Sequence, residues 1–301
     1  MSTPLRQFLG LKGFDEATLR EILALAKRYK AERKTIAWRP LANQTWAMIF
    51  NKSSTRTRVS FEVAVRELGG NALFLNANDM QLGRGEPVQD TARVLGRMIH
   101  GAIIRTYAQT DVETFASYAK VPTINALTDD EHPCQILADI QTIEEKIGPI
   151  TGRKVAFIGD CACNVARSWV YAAEIFKFKL TLAGPDGYLS DVTNSYVSQT
   201  HDVNEAAKGA DILYTDVWVS MGMEAEKAKR AAAFQGYQIN RGLVNRANKG
   251  AVVLHCLPAY REQEITEEIL EERQQDIFDQ AENRLHTQKG ILHWLTELPV
   301  G

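Results

Sequence analysis

What most constrains the fold is a handover that recurs along the chain: a short apolar run stops, polar residues intervene, and helical spacing begins. Thr45–Phe50 is the first such β-leaning run. Beyond it Val59, Phe61, Ala64, Val65 and Leu68 recur at three-to-four spacing, which predicts a helix with one buried face. The same alternation predicts strands at Ala72–Leu75, Ala102–Arg105 and Pro122–Ala126, with helices over 88–100, 112–119 and from His132 to about Ile147. An amphipathic helix carrying Leu19, Ile22, Leu23, Ala26 and Tyr29 precedes them. After the break Gly148–Gly152 the pattern restarts, with strands at Lys154–Ile158, Leu180–Ala183, Asp211–Thr215 and Ala251–Leu254, a helix through Trp169 and Ile175, and a final helix over 282–298. Alternation of this kind belongs to parallel sheets covered by helices. The expectation is α/β, with two parallel-sheet domains and a site in the cleft between them. The boundary is placed in the Cys134–Ile147 helix: residues 1–134 form one domain, 135–281 the other, and the helix 282–301 is expected to pack back on the first. The polar stretch from Asn76 to Pro87 reads as a mobile loop.

At 301 residues the chain is long enough for two domains. A net charge of −2 gives no general attraction to nucleic acid or to anionic membrane, so affinity for phosphate must be local. No apolar run approaches the roughly 20 residues of a membrane span. The four cysteines, Cys134, Cys161, Cys163 and Cys256, include no pair of C-x-x-C units, and a reduced cytoplasmic protein without metal or cofactor is expected.

The chemistry gathers where strands give way to helices. Ser54-Thr55-Arg56-Thr57-Arg58 puts three hydroxyls and two guanidiniums at the predicted start of a helix, whose first N–H groups are unpaired and positive. A lone Ser cap with one arginine is an ordinary surface feature. Five such residues in one turn read as a receptor for a dianionic phosphate. Arg105, His132, Asp160, Asn164, Asp216 and Cys256 follow other strands, the edge at which open α/β sheets bind ligands. The loop Gly159-Asp160-Cys161-Ala162-Cys163-Asn164 lacks G-x-G-x-x-G, which counts against a nicotinamide enzyme, and there is no G-x-x-x-x-G-K-[ST].

Five segments in order then carry a family resemblance: Ser54–Arg58 with Ser60-Phe61-Glu62, His132-Pro133-Cys134-Gln135, Asp216–Gly222, His255-Cys256-Leu257-Pro258-Ala259 and Glu282-Asn283-Arg284. The chain resembles ornithine carbamoyltransferases across nearly its whole length. The first motif is common to carbamoyltransferases; Ser220-Met221-Gly222 and His255–Pro258 point to ornithine. The resemblance implies transfer of the carbamoyl group of carbamoyl phosphate to the side-chain amine of L-ornithine, giving citrulline and phosphate. It implies that Ser54, Thr55, Arg56 and Thr57 hold the phosphate, that Arg105, His132 and Gln135 contact the carbamoyl group, and that Arg284 belongs to that end of the site. Cys256 and the Leu257 carbonyl would lie against the distal amine, and Leu127, Asn164, Asp216, Ser220 and Met221 around the amino acid. Arg105, His132, Cys256 and Arg284 are the residues given catalytic roles. No side chain is an obvious strong base, so the amine's proton is expected to leave with the phosphate. The resemblance further implies a homotrimer built through the first domain, with a neighbour's loop near 76–87 reaching the site, and a place in arginine biosynthesis, although arginine breakdown uses the same chemistry.

The sequence departs from the family in Cys163, where a second Asn is frequent, in Tyr260, where His is frequent, at Glu86-Pro87, and in a short segment between Tyr188 and Asp211. Other acceptors fit less well. Putrescine has no carboxylate and gives no reason for Ser220-Met221-Gly222, and an N-acyl-ornithine has no α-ammonium to pair with Asp216. Aspartate would require further cations. A non-catalytic metabolite-binding relative would have no need of Arg56, Arg105, His132 and Cys256 together.

Overall fold

A computed structural model of the chain describes residues 5–76, 85–219 and 224–296. It divides into two compact units, one running to Leu137 and resuming at Arg284, the other Ala138–Asn283.

Unit 1 opens with α1 (Glu16–Ala31), whose first N–H groups are capped by the Asp15 carboxylate and whose buried stripe is Leu19, Ile22, Leu23, Ala26 and Tyr29. Then follow β1 (Thr45–Phe50), α2 (Thr55–Glu67), β2 (Asn71–Asn76), α3 (Val88–Leu95), β3 (Gly101–Arg105), α4 (Gln109–Ala119), β4 (Thr123–Leu127) and α5 (Pro133–Ile147), which belongs to unit 1 up to Leu137 and to unit 2 from Ala138. The sheet is wholly parallel, in the order β2-β1-β3-β4. Trp46 faces Gly101 in the register, and a Cβ at residue 101 would sit 2.5 Å from the indole, so only glycine leaves room for that ring.

Two helical expectations need correction. Val59 is 54% exposed, whereas Phe61, Ala64, Val65 and Leu68 are fully buried. At about 100° per residue Val59 points away from the direction those four share, so its place in the sequence count was coincidence with the period rather than membership of the face. The helix expected over 88–100 stops at Leu95, because Gly96 caps it and His100 already donates its N–H to the carbonyl of Thr45, the first residue of β1. The loop expected over 76–87 lies for the most part, at 77–84, outside the described residues.

Unit 2 contains β5 (Lys154–Ile158), α6 (Asn164–Phe176), β6 (Lys179–Ala183), β7 (Val197–Thr200), α7 (Val203–Ala207), β8 (Ile212–Thr215), α8 (Lys227–Ala233), α9 (Arg241–Val244), β9 (Val252–His255) and α10 (Glu267–Glu272). Its sheet is again all parallel, ordered β7-β6-β5-β8-β9. The last helix, α11 (Gln274–Thr296), begins eight residues before the expected Glu282. Its Gly290 lies against α1 in unit 1, where an added Cβ would meet the Ile22 carbonyl at 2.5 Å. Among the described residues no helix is long and apolar enough to cross a membrane.

In each sheet the chain winds outward in both directions from a central pair, β1/β3 in unit 1 and β5/β8 in unit 2. Such a reversal leaves a gap beyond the carboxyl ends of the central pair, where side chains following both strands converge.

Candidate active site

In unit 1 the reversal point is where β1 hands over to α2. Ser54, with extended backbone, is the N-cap: its Oγ accepts from the Thr57 N–H at 3.2 Å. Thr55 and Arg56 are exposed beside it, and among the described residues the Arg56 side chain has no hydrogen-bond or ionic partner. On the other strand of the pair, Arg105 ends β3 and is buried; its backbone carbonyl accepts from Asn51 N–H at 2.8 Å, which ties the two strand ends together. Arg284, from the final helix, donates to Gln135 Oε1 at 2.6 Å and to Thr57 Oγ1 at 3.2 Å. His132 is buried near both Arg284 and Arg105. Burial first, and then those two cations, hold its imidazole well below the usual histidine range. It is therefore neutral at pH 7 and able to donate one N–H without adding charge. Cys134 beside it is pushed up to about 12 by burial and stays a thiol.

Unit 1 thus brings together Ser54, Thr55, Arg56, Thr57, Arg105, His132, Gln135 and Arg284 in a cationic group at the end of its sheet. Leu127 is also in unit 1: it ends β4 in register with Arg105.

In unit 2, Asp160 follows β5, Asp216 follows β8 and Cys256 follows β9, three neighbouring strands. The Cys256 thiol donates to Asp216 Oδ1 at 2.9 Å, and the Val217 N–H donates to the same oxygen at 2.8 Å. Burial, reinforced by the Asp216 charge and that hydrogen bond, pushes the Cys256 thiol far up, so it acts as a donor and not as a thiolate. Asn164 opens α6, with Cys163 as N-cap through a 3.4 Å contact from the Ala166 N–H. Leu257 holds the left-handed φ of 58°, which turns its peptide away from the line of β9. Ser220 and Met221 lie outside the described residues.

The ligand atoms of Asp216, His255 and Cys256 lie within 4.8 Å of one another. Each already has a protein partner, however: His255 Nδ1 accepts from Leu257 N–H at 2.8 Å, and Nε2 faces Glu264 at 3.0 Å.

Unit 1 thus offers a cationic turn, and unit 2 an acid that accepts from a thiol and a backbone amide. Residues 6–145 match the carbamoyl-P binding domain of aspartate/ornithine carbamoyltransferase, and residues 151–295 match its Asp/Orn binding domain. The chain belongs to the aspartate/ornithine carbamoyltransferase family. It is 54% identical to the ornithine carbamoyltransferase of Akkermansia muciniphila, over 93% of this chain and 94% of that one. Its structure resembles that of the anabolic ornithine carbamoyltransferase of Campylobacter jejuni with a TM-score of 0.90 at 42% identity, covering 97% of this chain and 99% of the other. For the enzyme from Pyrococcus furiosus the TM-score is 0.90 at 44% identity, with 97% of each chain covered.

Two pairings lie beside the family's motifs, and in each the partner was not foreseen. Asp160 is buried and paired with Arg230, whose Nη1 donates to it at 2.7 Å and to the Trp218 carbonyl at 3.0 Å. Burial raises the Asp160 carboxyl, and Arg230 opposes the rise. Lys52, just before Ser54–Arg58, is buried against Asp129 and over the Tyr107 ring at 4.3 Å. Asp160 was visible as an acid after a strand; nothing in the sequence around Arg230 or Asp129 links them to it or to Lys52.

Proposed function

We propose that this carbamoyltransferase moves the carbamoyl group of carbamoyl phosphate to the side-chain amine of L-ornithine, releasing citrulline and phosphate. The observation that carries the reading is the match of both halves of the chain to the two substrate domains of one family, with relatives named ornithine carbamoyltransferase at up to 54% identity among those compared. The geometry supports it. Ser54, Thr55, Arg56 and Thr57 cradle the phosphate at the start of α2, where the helix dipole and unpaired N–H groups favour an anion. Arg105 and neutral His132 donate to the carbamoyl oxygen, which gains charge as the amine attacks; loss of one such donor typically lowers the rate about 10²–10³-fold. Gln135, oriented by Arg284, takes the carbamoyl NH₂. Asp216 pairs with the α-ammonium of ornithine and Asn164 with its carboxylate; Leu127, Ser220 and Met221 are assigned to the same amino acid by the family's motifs. Cys256 and the Leu257 carbonyl face the distal amine. Because Cys256 stays protonated, no thiolate intermediate is involved, and the amine's proton passes to the departing phosphate. Positioning and charge stabilisation are then the sources of catalysis.

The protein works as a homotrimer in the cytoplasm, in the biosynthetic direction. The four free cysteines suit a reducing compartment, and the Campylobacter jejuni relative is called anabolic. Sedimentation analysis giving a monomer would overturn the assembly. For the reaction, carbamoyl phosphate should be offered with L-ornithine, putrescine and N-acetyl-ornithine in parallel. Citrulline from ornithine, with little product from the other two, is expected; faster turnover of either alternative would reassign the acceptor.

A further inference from the structure

A carboxyl to which the carbamoyl-transfer reading gives no role lies fully buried in unit 2. Asp139, in α5, accepts from Gln280 Nε2 at 2.7 Å. With its nitrogen turned to Asp139, the Gln280 amide presents Oε1 to the backbone N–H of His255 at 3.0 Å. His255 is the residue before Cys256. The same carboxyl accepts from the Tyr214 hydroxyl, which also lies 3.4 Å from Gln280 Nε2. Tyr214 is two residues before Asp216. Asp139, Tyr214 and Gln280 are all 0% exposed, and β8 and β9 pair directly, with Tyr214 opposite Leu254 and Thr215 opposite His255. One acid therefore reaches the carboxyl ends of both strands that carry the Asp216–Cys256 contact.

The arrangement has one sense only. Reversing the Gln280 amide would aim its oxygen at the Asp139 carboxylate and its NH₂ at the His255 N–H, leaving like facing like at both ends in a site that water does not reach. We propose that Asp139, acting through Gln280 and Tyr214, is a positioning residue that sets the Asp216–Cys256 contact and with it the presentation of the acceptor amino acid. This deepens the carbamoyl-transfer reading and depends on it for its kinetic consequences. Electrostatics add to the geometry: burial and Asp216 keep the Cys256 thiol protonated, and Asp139 and Cys163, the other ionisable groups acting on it, push the same way.

The test compares Asp139→Asn, Gln280→Glu, the combined exchange D139N/Q280E, and Tyr214→Phe in the full-length protein. Each is followed by steady-state kinetics in both substrates, thermal melting, and the pH profile of alkylation of Cys256, the one cysteine of the four that is only partly buried. With a charge-assisted bond lost, Asp139→Asn should raise the KM for ornithine about tenfold while the KM for carbamoyl phosphate moves less than about twofold. Gln280→Glu, which sets two carboxyls face to face, should lower kcat/KM for ornithine about 100-fold, and exchanging acid and amide together should recover most of that loss. In Asp139→Asn the alkylation profile should move to lower pH, and in Tyr214→Phe, which leaves the Asp139 charge in place, it should stay; looser packing around the thiol would move the profile in both. Folded Asp139→Asn and Tyr214→Phe proteins with parental ornithine KM, and an unmoved alkylation profile in Asp139→Asn, would overturn the inference. Should Gln280→Glu not fold, Tyr214→Phe, which loses a single hydroxyl, still decides it, with a rise of about threefold in ornithine KM expected. A parent protein that makes no citrulline would defeat the assigned reaction instead, while the alkylation profile would still report whether Asp139 acts on Cys256.

Discussion

Arg56 stands exposed in the first turn of α2 with no protein partner among the described residues, although the cationic side chains around it, Arg284 and Lys52, are engaged. An exposed guanidinium without a partner contributes little to stability but is available to a ligand. Arg56→Ala should accordingly leave the melting temperature unchanged and lower kcat/KM for carbamoyl phosphate by about 10²–10³; equal kinetics in the variant would remove Arg56 from the phosphate cradle. His132 gives a prediction of opposite kind, seen in stability. Its folded-state pKa lies well below the ordinary 6.5, so below pH 6.5 the unfolded chain takes up a proton that the folded chain refuses. The stability it contributes is complete above pH 6.5 and is lost as pH falls toward the folded value, at up to about 1.4 kcal/mol per pH unit. His132→Gln should flatten that part of the acid limb, measured by denaturant unfolding between pH 6.5 and 4.5. A variant with the parental slope would show that the histidine is not the group responsible. Single residues were legible here when their chemistry was local, as with the hydroxyls and arginines of Ser54–Arg58. They were not when the partner lay far along the chain: Arg230 meets Asp160 across 70 residues, from a helix whose Ala- and Lys-rich sequence carries no mark of a site.

At the scale of elements, the sequence was readable where burial leaves a period and unreadable where it does not. Strands β1, β3, β5 and β8 are flanked on both sides, and their nearly continuous apolar runs stand out. By contrast β7, Val197–Thr200, is an edge strand with three polar residues of four, Ser198 and Gln199 exposed, and shows neither alternation nor an apolar run. The short helices α7, α9 and α10 are too brief to display a 3.6-residue period, and the start of α11 is the polar Gln274-Gln275-Asp276. Helix ends are also where local chemistry can be changed without touching the site. In α4 the N-cap is Ala108, exposed, in extended backbone, and with no side chain to accept from the first turn. Ala108→Ser supplies that acceptor and should stabilise the protein by about 0.5–1 kcal/mol. At about 2–4 °C per kcal/mol for a unit of this size, calorimetry should show a rise of about 1–4 °C with unaltered kinetics. A fall in melting temperature would mean that the turn before α4 cannot present the hydroxyl to its N–H groups.

For the molecule as a whole, the two sheets reuse one plan, each wound outward from a central strand pair, with cations gathered at one reversal point and Asp216 beside the Asp160–Arg230 pair at the other. Arg56, Arg105 and Arg284 mark unit 1; Asp160 and Asp216 mark unit 2. This division makes the two ligands separable by mutation. Inorganic phosphate at about 100 times its dissociation constant stabilises the form that binds it by about 2.7 kcal/mol, which for domains of this size is a melting shift of about 5 °C or more. Asp216→Asn should keep that shift, because its charge lies in the unit that does not hold phosphate, and Arg56→Ala should lose it. L-norvaline, which is ornithine without the distal amine, added over saturating phosphate should raise the melting temperature of the parent further and should do so much less in Asp216→Asn, where the α-ammonium has lost its carboxylate. The crossed pattern is what matters, since a general loss of stability would lower all the curves together without changing the ligand-induced increments. If Asp216→Asn abolished the phosphate shift, the assignment of anion to unit 1 and amino acid to unit 2 would fail, however well either variant folded.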